Sequence, residues 1–180
     1  MVLLQIAEPG ETKPQKRERR RAAGIDLGTT NSLVASVNDD GEAFSLTDAE
    51  GDQIIPSAVH YESTGEEGCV GRRARELAVS DLGHTFLSIK RIMGKSFEDI
   101  ADYQQHYPYD FVGEPEEVPR IRVGSRQLTA VEISAAILKH LKTVATGYLD
   151  GEPEGVVITV PAYFDDAQRQ ATKDAARLAG

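Results

Sequence analysis

The sequence predicts an α/β fold, and patterns in the two halves of the chain carry that prediction. Residues 22–27 and 32–37 are apolar and β-branched, which is typical of two paired strands around a short turn. Residues 129–149 have the periodicity of a long amphipathic helix. The continuous apolar run at residues 156–160 follows, typical of a strand covered on both faces, and a second helical pattern begins at Asp165. A chain of 180 residues can bury a sizeable core, enough for one domain or two small lobes.

Turn residues and prolines divide the middle of the chain into short elements. The Asp40-Gly41 pair predicts a hairpin turn, because these residues tolerate the left-handed conformations that tight turns require. Prolines at positions 108, 115 and 119 exclude a long regular element from residues 94–126. We further predict a third strand at residues 42–47, a loop at 48–56, a short strand at 60–61, and helices at 72–79 and 85–93.

Both helices near the C-terminus carry signals for their first residues. Thr129 and Glu132 have the spacing of a capping box, in which each side chain binds the other residue's backbone N–H group. Asp165 and Gln168 repeat that spacing at the second helix. Gly180 is placed to end this helix, because glycine readily adopts the left-handed conformation that closes many helices.

The turn between the first two predicted strands has the composition of a phosphate-binding loop. Gly28 permits a tight turn with positive φ and lets backbone N–H groups approach an anion. The Thr29 and Thr30 hydroxyls and the Asn31 amide can donate to phosphate oxygens, and Asp26 can hold a hydrated Mg²⁺. The spacing matches neither a Walker A loop nor a dinucleotide-binding turn. An ordinary hairpin uses the same residue types, so spacing alone leaves both interpretations open.

Composition is that of a globular protein. The chain has 180 residues, of which 40% are hydrophobic and 27% charged. Its single cysteine, Cys69, excludes a disulfide within this sequence and cannot alone hold an iron–sulphur cluster, so we expect a cytoplasmic, reducing location. No apolar run approaches the ~20 residues of a membrane-spanning helix, and no membrane partner is expected.

Charge is distributed unevenly along the chain. Residues 1–21 carry six basic and three acidic side chains, a net charge of +3, while the whole chain carries −9. The remaining residues therefore carry −12. We interpret residues 1–21 as a flexible basic tail, because they contain no aromatic side chain to stack on a base and the acidic body opposes nucleic-acid binding. No nucleic-acid partner is expected.

Three segments resemble, in order and in approximate separation, motifs of the DnaK (heat-shock protein 70) chaperone family. They are G-I-D-L-G-T-T-N-S at residues 24–32, S-I-K-R-I-M-G at residues 88–94, and V-I-T-V-P-A-Y-F-D-D-A-Q-R-Q-A-T-K-D-A at residues 157–175. The first looks like that family's first phosphate loop, and the resemblance is continuous from about Ala22 to Gly180. The opening L-L-Q-I-A-E-P-G at residues 3–10 resembles the HscA branch, which serves iron–sulphur cluster assembly.

The resemblance implies a ribonuclease-H-like nucleotide-binding lobe of the actin, hexokinase and DnaK type, with a smaller inserted α+β subdomain. Residues 22–57 and 128–180 would form the core of the first ATPase lobe, and residues 58–127 the insertion. In that family the catalytic glutamate, the second phosphate loop, the adenosine pocket and the client-binding domain come later in the sequence. We therefore expect an incomplete lobe, and a 180-residue chain that is inactive as an ATPase on its own.

Roles for the residues of the turn follow from the same resemblance. Asp26 matches the aspartate that holds the water shell of the metal, and we treat it as catalytic. Thr29 and Thr30 match hydroxyls that face the γ-phosphate, with Asn31 beside them. The implied nucleotide-binding residues are Gly28, Thr29, Thr30 and Asn31.

Roles outside the turn are implied for three further residues. Lys90 matches the lysine that reaches the γ-phosphate, where an ammonium would neutralise charge on the transferred phosphoryl group. Pro161 and Arg169 match positions implicated in relaying the nucleotide state to the client-binding half. One departure lies close to Lys90: the chain has Asp81-Leu82 where many relatives carry Asn-Pro.

The function implied is that of an ATP-dependent molecular chaperone, which binds and hydrolyses ATP to control client binding. The implied cofactors are ATP or ADP and Mg²⁺. The implied partners are a J-domain co-chaperone and a client protein or iron–sulphur scaffold bound through a C-terminal domain. The opening residues favour iron–sulphur protein maturation, and a general protein-folding chaperone is the alternative within the family.

Two other classes share parts of the pattern. Sugar or acetate kinases and actin-like filament proteins have the D-x-G-T-[ST] turn, but the V-P-A-Y-F-x-x-A-Q-R-x-A run speaks against them. A ribonuclease-H-like nuclease would use Asp26 as a metal carboxylate. It would also need two or three further convergent acids, and the acidic body disfavours nucleic acid.

Overall fold

The computed structural model describes residues 22–102 and 104–180. The predicted tail and the opening residues that resemble the HscA branch lie outside the described residues. The described strands are Ala22–Asp26 (β1), Asn31–Val37 (β2), Ala43–Ser45 (β3), Ile55–Pro56 (β4), Ala58–Tyr61 (β5), Glu67–Val70 (β6), Thr85–Leu87 (β7), Phe111–Val112 (β8), Arg120–Val123 (β9), Arg126–Thr129 (β10) and Gly155–Thr159 (β11). The helices are Arg72–Leu77 (α1), Phe97–Ile100 (α2), Ala130–Leu149 (α3) and Asp166–Ala179 (α4). The chain is therefore α/β, as predicted.

The largest sheet has the strand order β11-β1-β2-β3, with β4 also paired to β2. β1 and β2 are antiparallel around the glycine turn, whereas β1 and β11 are parallel. The carboxyl ends of the two parallel strands therefore lie side by side, where Asp26 and Thr159 are register partners. The long helix α3 packs against β2 and against α4. This topology brings the glycine turn and the residues after β11 to one end of the sheet.

Two smaller sheets lie between β4 and α3 in the sequence. One has the order β6-β5-β7, and the other has the order β10-β9-β8. The helix predicted at residues 85–93 is wrong in its first half, because Thr85–Leu87 is a strand that pairs with β5. Thr85 and Phe86 are fully buried there, and only Ile89–Ile92 forms a short 3-10 helix. Among the described residues of 94–102 and 104–126, every helix and strand has at most four residues.

Strand β11 is more exposed than its apolar sequence predicts. Val157 is 69% exposed and Val156 is also exposed, whereas Ile158 packs against the core. Within the described residues β11 is the edge of the sheet, with β1 on its only paired side. The prediction of a strand covered on both faces is therefore wrong for this structure.

The helix ends agree with the capping signals. Thr129 with Glu132, and Asp165 with Gln168, each form a reciprocal capping box, and Gly180 follows α4 with φ of 87°. Because their side chains satisfy the first free N–H groups, α3 and α4 begin at fixed residues. In the part of the chain that the structure describes, no helix is both long enough and apolar enough to cross a membrane.

Candidate functional site

The turn between β1 and β2 is tight because of Gly28. This residue does not have the positive φ that we predicted. Glycine is required at position 28 for a different reason: a Cβ atom there would collide with the backbone carbonyl oxygen of Asn31. Every other residue type would force the two backbone segments apart. The turn is thus defined by a close approach of backbone to backbone.

Two buried serines hold this turn from inside the molecule. The Gly28 N–H group donates to Ser32 Oγ at 3.2 Å, and Ser57 Oγ donates to the Gly28 carbonyl oxygen at 2.9 Å. The two hydroxyl oxygens lie 2.8 Å apart. In addition, the Ser57 N–H group donates to the carbonyl oxygen of Thr30 at 2.9 Å. Sequence reasoning missed Ser57, which lies 29 positions from Gly28 and has no motif around it.

Asp26 stands at the carboxyl end of β1 with its side chain exposed. The hydroxyl of Thr159, at the corresponding end of β11, donates to Asp26 Oδ1 at 2.9 Å. This bond fixes the carboxylate at the carboxyl end of β1 while leaving it accessible to solvent. Thr30 and Asn31 are also exposed on the adjacent turn, and Thr29 is half-buried.

Lys90 reaches the same turn from the 3-10 helix. Its ammonium donates to the carbonyl oxygen of Leu27 at 2.6 Å and lies 5.1 Å from the ring centroid of Phe164. The residue is only 9% exposed, and this burial lowers the pKa of the Lys90 ammonium, while the Asp26 carboxylate opposes that shift. The neighbouring Arg91 points to solvent. Of these two adjacent cations, only Lys90 is directed at the predicted site.

The segment that carries Lys90 is fixed at both ends by unusual backbone. Ser88 has φ of 56°, and Gly94 has φ of 70°. A Cβ atom on Gly94 would lie 2.7 Å from the Cα atom of Gln168, so this glycine lets the segment press against the first turn of α4. At the Asp81-Leu82 departure, the Asp81 carbonyl accepts the Thr85 hydroxyl at 2.7 Å, and β7 begins at Thr85.

Pro161 and Arg169 frame the loop that supplies the Phe164 ring. Arg169 donates from Nε to the carbonyl oxygen of Phe164 at 3.0 Å and from Nη2 to that of Ala162 at 3.2 Å. The Phe164 N–H group donates to the carbonyl oxygen of Pro161 at 3.1 Å. Arg169 therefore holds the backbone of the residue whose ring faces the Lys90 ammonium.

Taken together, the structure places all eight predicted site residues around one turn and its neighbouring loop. The predicted residues are Asp26, Gly28, Thr29, Thr30, Asn31, Lys90, Pro161 and Arg169. The side chains missed by sequence reasoning are Ser32, Ser57, Thr159 and Phe164. Thr159 and Phe164 belong to the third motif, so their involvement could have been suspected, whereas the contact of Ser57 arises only from the pairing of β4 with β2.

A cluster of acids at Asp48, Glu50 and Asp52 has its own explanation. Its carboxylate oxygens lie within 4.8 Å of one another. However, Asp48 Oδ1 accepts the backbone N–H groups of Glu50 and Asp52, and Asp52 is paired with the Arg72 guanidinium. The three acids therefore lie close together because they belong to one hydrogen-bonded turn, and two of their carboxylates already have partners.

Comparison with known proteins identifies the family of this chain. The family model described as Hsp70 protein matches residues 22–180. This α/β chain with its glycine turn, aspartate and buried lysine therefore belongs to the Hsp70 protein family. Within that family it is similar to proteins named chaperone protein HscA, with 53% identity over all 180 residues to those of Pectobacterium atrosepticum, Escherichia coli and Citrobacter koseri. The chain spans 29% of the length of each of these relatives. The family predicted from the three motifs is confirmed.

Proposed function

We propose that residues 22–180 form the phosphate-binding side of a ribonuclease-H-like ATPase lobe, in a chaperone that hydrolyses ATP to control client binding. In this proposal, residues 22–57 and 128–180 are the core of the lobe and residues 58–127 its inserted subdomain. One observation carries the proposal. A buried lysine and a strand-end carboxylate meet at a glycine turn whose exposed residues are donors. Membership of the Hsp70 family supports it.

The exposed side of the turn suits a triphosphate with its metal. Thr29 and Thr30 offer hydroxyl donors and Asn31 an amide, the groups that bind phosphate oxygens. The Asp26 carboxylate is an oxygen ligand of the kind that retains a hydrated Mg²⁺. When bound, Mg²⁺ would neutralise charge on the phosphates. Asp26, held in place by Thr159, would orient the water shell of the metal.

Lys90 would supply the second positive charge at the reacting phosphoryl group. Its present partners are a neutral carbonyl group and an aromatic ring, which are weaker partners for an ammonium than a phosphate oxygen. An anionic ligand would also offset the burial that lowers the pKa of this amine. Lys90 would thus stay protonated and stabilise the charge that develops as the phosphoryl group is transferred.

The loop at residues 161–164 would report the nucleotide state to the rest of the chaperone. Any movement of the Lys90 ammonium changes its contact with the Phe164 ring, and the Phe164 backbone is bound by Arg169. Arg169 and Pro161 are therefore suited to act as the relay. Their effect would be exerted on the client-binding part of the protein.

A role in iron–sulphur protein maturation is supported by the identity to HscA chaperones along the whole chain. The expected partners are a J-domain co-chaperone and an iron–sulphur scaffold or client, with ATP or ADP and Mg²⁺ as cofactors in the cytoplasm. A general protein-folding role within the same family is the second candidate, because the matching family model is described only as Hsp70 protein.

ATP hydrolysis by a protein of full family length that carries these 180 residues tests the proposal. We expect Mg²⁺-dependent hydrolysis that is strongly reduced by Asp26→Asn and unchanged by Asp40→Asn, since Asp40 is an exposed residue of the β2–β3 turn. Assays with sugars, acetate and nucleic acid in the same preparation test the kinase and nuclease alternatives. Purified protein that neither binds nor hydrolyses Mg·ATP would contradict the proposal.

A further inference from the structure

We propose that Ser57 is a positioning residue of the phosphate turn, holding two of its peptide groups so that their N–H groups face the bound phosphates. This inference rests on the proposed function and adds to it a residue outside the three motifs. Ser57 lies directly after β4, on the opposite side of β2 from β1. It meets the turn with both its hydroxyl and its backbone N–H group.

The hydroxyls of Ser32 and Ser57 close a ring of hydrogen bonds around Gly28. Because the Ser57 hydroxyl hydrogen is donated to the Gly28 carbonyl, the bond between the two hydroxyls must use the hydrogen of Ser32. Ser32 Oγ in turn accepts the Gly28 N–H group. The three hydrogen bonds therefore all point the same way around the ring, from the Gly28 N–H group through Ser32 and Ser57 to the Gly28 carbonyl. They fix the peptide groups on both sides of Gly28. The ring also directs the Gly28 N–H group inwards, away from any ligand.

Ser57 also sets the direction of the next N–H groups of the turn. It binds the carbonyl oxygens of Gly28 and Thr30. In a trans peptide group the carbonyl and the following N–H group point in opposite directions, and no peptide bond in the described residues is cis. The N–H groups of Thr29 and Asn31 therefore point away from Ser57. Backbone N–H groups that are exposed on one side of a turn can bind a phosphate.

Burial makes this arrangement sensitive to loss of a single hydroxyl. Ser32 and Ser57 are 2% and 3% exposed, so solvent water has little access to replace a missing partner. The register of β4 against β2 also fixes the position of Ser57, because the two residues before it, Ile55 and Pro56, pair with Ser32 and Asn31. Without the Ser57 hydroxyl, the Gly28 carbonyl would lose its donor and the Ser32 hydroxyl would lose its acceptor. The turn would then lose its preformed shape while the sheet around it remained.

Comparing ligands with and without phosphate separates positioning from general stability. In a protein of full family length, we would measure the affinities of Mg·ATP, Mg·ADP and adenosine by calorimetry. Ser57→Ala should weaken both phosphate-bearing ligands about tenfold and leave adenosine within about twofold. Ser57→Cys, which has similar size and a weaker donor, should lie between Ser57→Ala and the parent.

Two further variants complete the test. Ser32→Ala breaks the same ring, so its effect and that of Ser57→Ala should not add in the double variant. Ser36→Ala is the control, because Ser36 is a buried serine of β2 whose hydroxyl donates to the Ala22 carbonyl at 3.1 Å, away from the turn. It should change none of the three affinities by more than about twofold.

The possible failures are distinguishable. Equal loss of adenosine and Mg·ADP affinity in Ser57→Ala, or unchanged Mg·ADP affinity, would overturn the role of Ser57 and leave the proposed function intact. A parent protein that binds none of the nucleotides would overturn both. If Ser57→Ala does not fold, an unchanged Mg·ADP affinity in Ser57→Cys and Ser32→Ala would overturn the positioning role.

Discussion

Lys90 combines two properties that conflict in an ordinary core residue. Its aliphatic stem is buried, and its ammonium contacts the Leu27 carbonyl and the Phe164 ring, while the Asp26 carboxylate favours its charged form. Burial disfavours the charged form, and the pKa of this amine is lowered accordingly. A residue kept in such a position is expected to cost stability in exchange for function. Arg91, which points to solvent, carries no such conflict.

Replacing Lys90 by methionine should therefore stabilise the folded protein. We expect Lys90→Met to raise the free energy of unfolding by about 0.5–2 kcal/mol near neutral pH, because the stem is retained and the buried charge removed. Urea unfolding measures this value, with Arg91→Met as the exposed control. A loss of stability in Lys90→Met larger than in Arg91→Met would show that the ammonium contacts outweigh its burial.

The advantage of Lys90→Met should shrink at alkaline pH. The folded-state pKa of Lys90 lies below the ordinary lysine value of 10.5. As the pH rises through that lowered pKa towards 10.5, the folded parent loses its proton before the unfolded chain does. Stability rises with pH wherever the unfolded state binds more protons, so the parent gains on the variant across this window. A difference that grows with pH would contradict the assigned direction.

Among the elements, the contact between the Lys90 segment and the loop before α4 links the two halves of the site. Gly94 presses against Gln168 in the first turn of α4, and Arg169 in the same turn binds the carbonyls of Ala162 and Phe164. The position of Phe164 under Lys90 thus depends on a guanidinium that makes two bonds in a fixed geometry. An ammonium in its place could not make both bonds in that geometry.

Arg169→Lys should loosen this loop without unfolding α4. We expect faster hydrogen exchange at the Phe164 amide, which donates to Pro161, and unchanged exchange at the Asp174 amide within the helix. The control is Arg177→Lys, an exposed arginine near the end of the same helix that pairs with Asp174. Equal exchange at Phe164 in both variants would mean that Arg169 does not hold the loop.

Elements with local signals were predictable, and elements defined by partners were not. The first residues of α3 and α4 followed from capping boxes, because those bonds lie within four residues. β7 was predicted as helix, since only its pairing with β5 selects the strand. β4 was predicted as loop for the same reason. The glycine turn was indicated by its own composition and Lys90 by the resemblance of residues 88–94 to a family motif, whereas Ser57, which depends on β4, carried neither signal.

At the scale of the whole molecule, β11 is the edge of the large sheet within the described residues, and it carries exposed apolar side chains. Val156 and Val157 face solvent, and α4 lies beside a groove lined by Val156, Ile158 and Ala176. An unpaired strand with apolar side chains is a template for pairing with another chain. The phosphate turn joins β1 to β2 and so lies one strand away from this edge, although β11 also carries Thr159, whose hydroxyl binds Asp26.

The 180-residue chain should therefore self-associate in solution. We expect the average mass in sedimentation to rise with concentration, and Val157→Lys to reduce the effect because a charged side chain opposes pairing at a strand edge. Val37→Lys is a suitable control, since Val37 is an exposed valine at the end of β2. A monodisperse monomer at all concentrations, or equal association of both variants, would contradict this assignment.

Lys90 is proposed to act on the transferred phosphoryl group, and single-turnover hydrolysis tests this role most directly. In a protein of full family length, Lys90→Ala should lower the hydrolysis rate about 10²–10³-fold while changing Mg·ATP affinity much less, because the cation contributes most as charge develops in the transition state. Arg91→Ala should leave both quantities nearly unchanged. A Lys90→Ala protein that hydrolyses bound ATP at the parent rate would show that Lys90 has no such role.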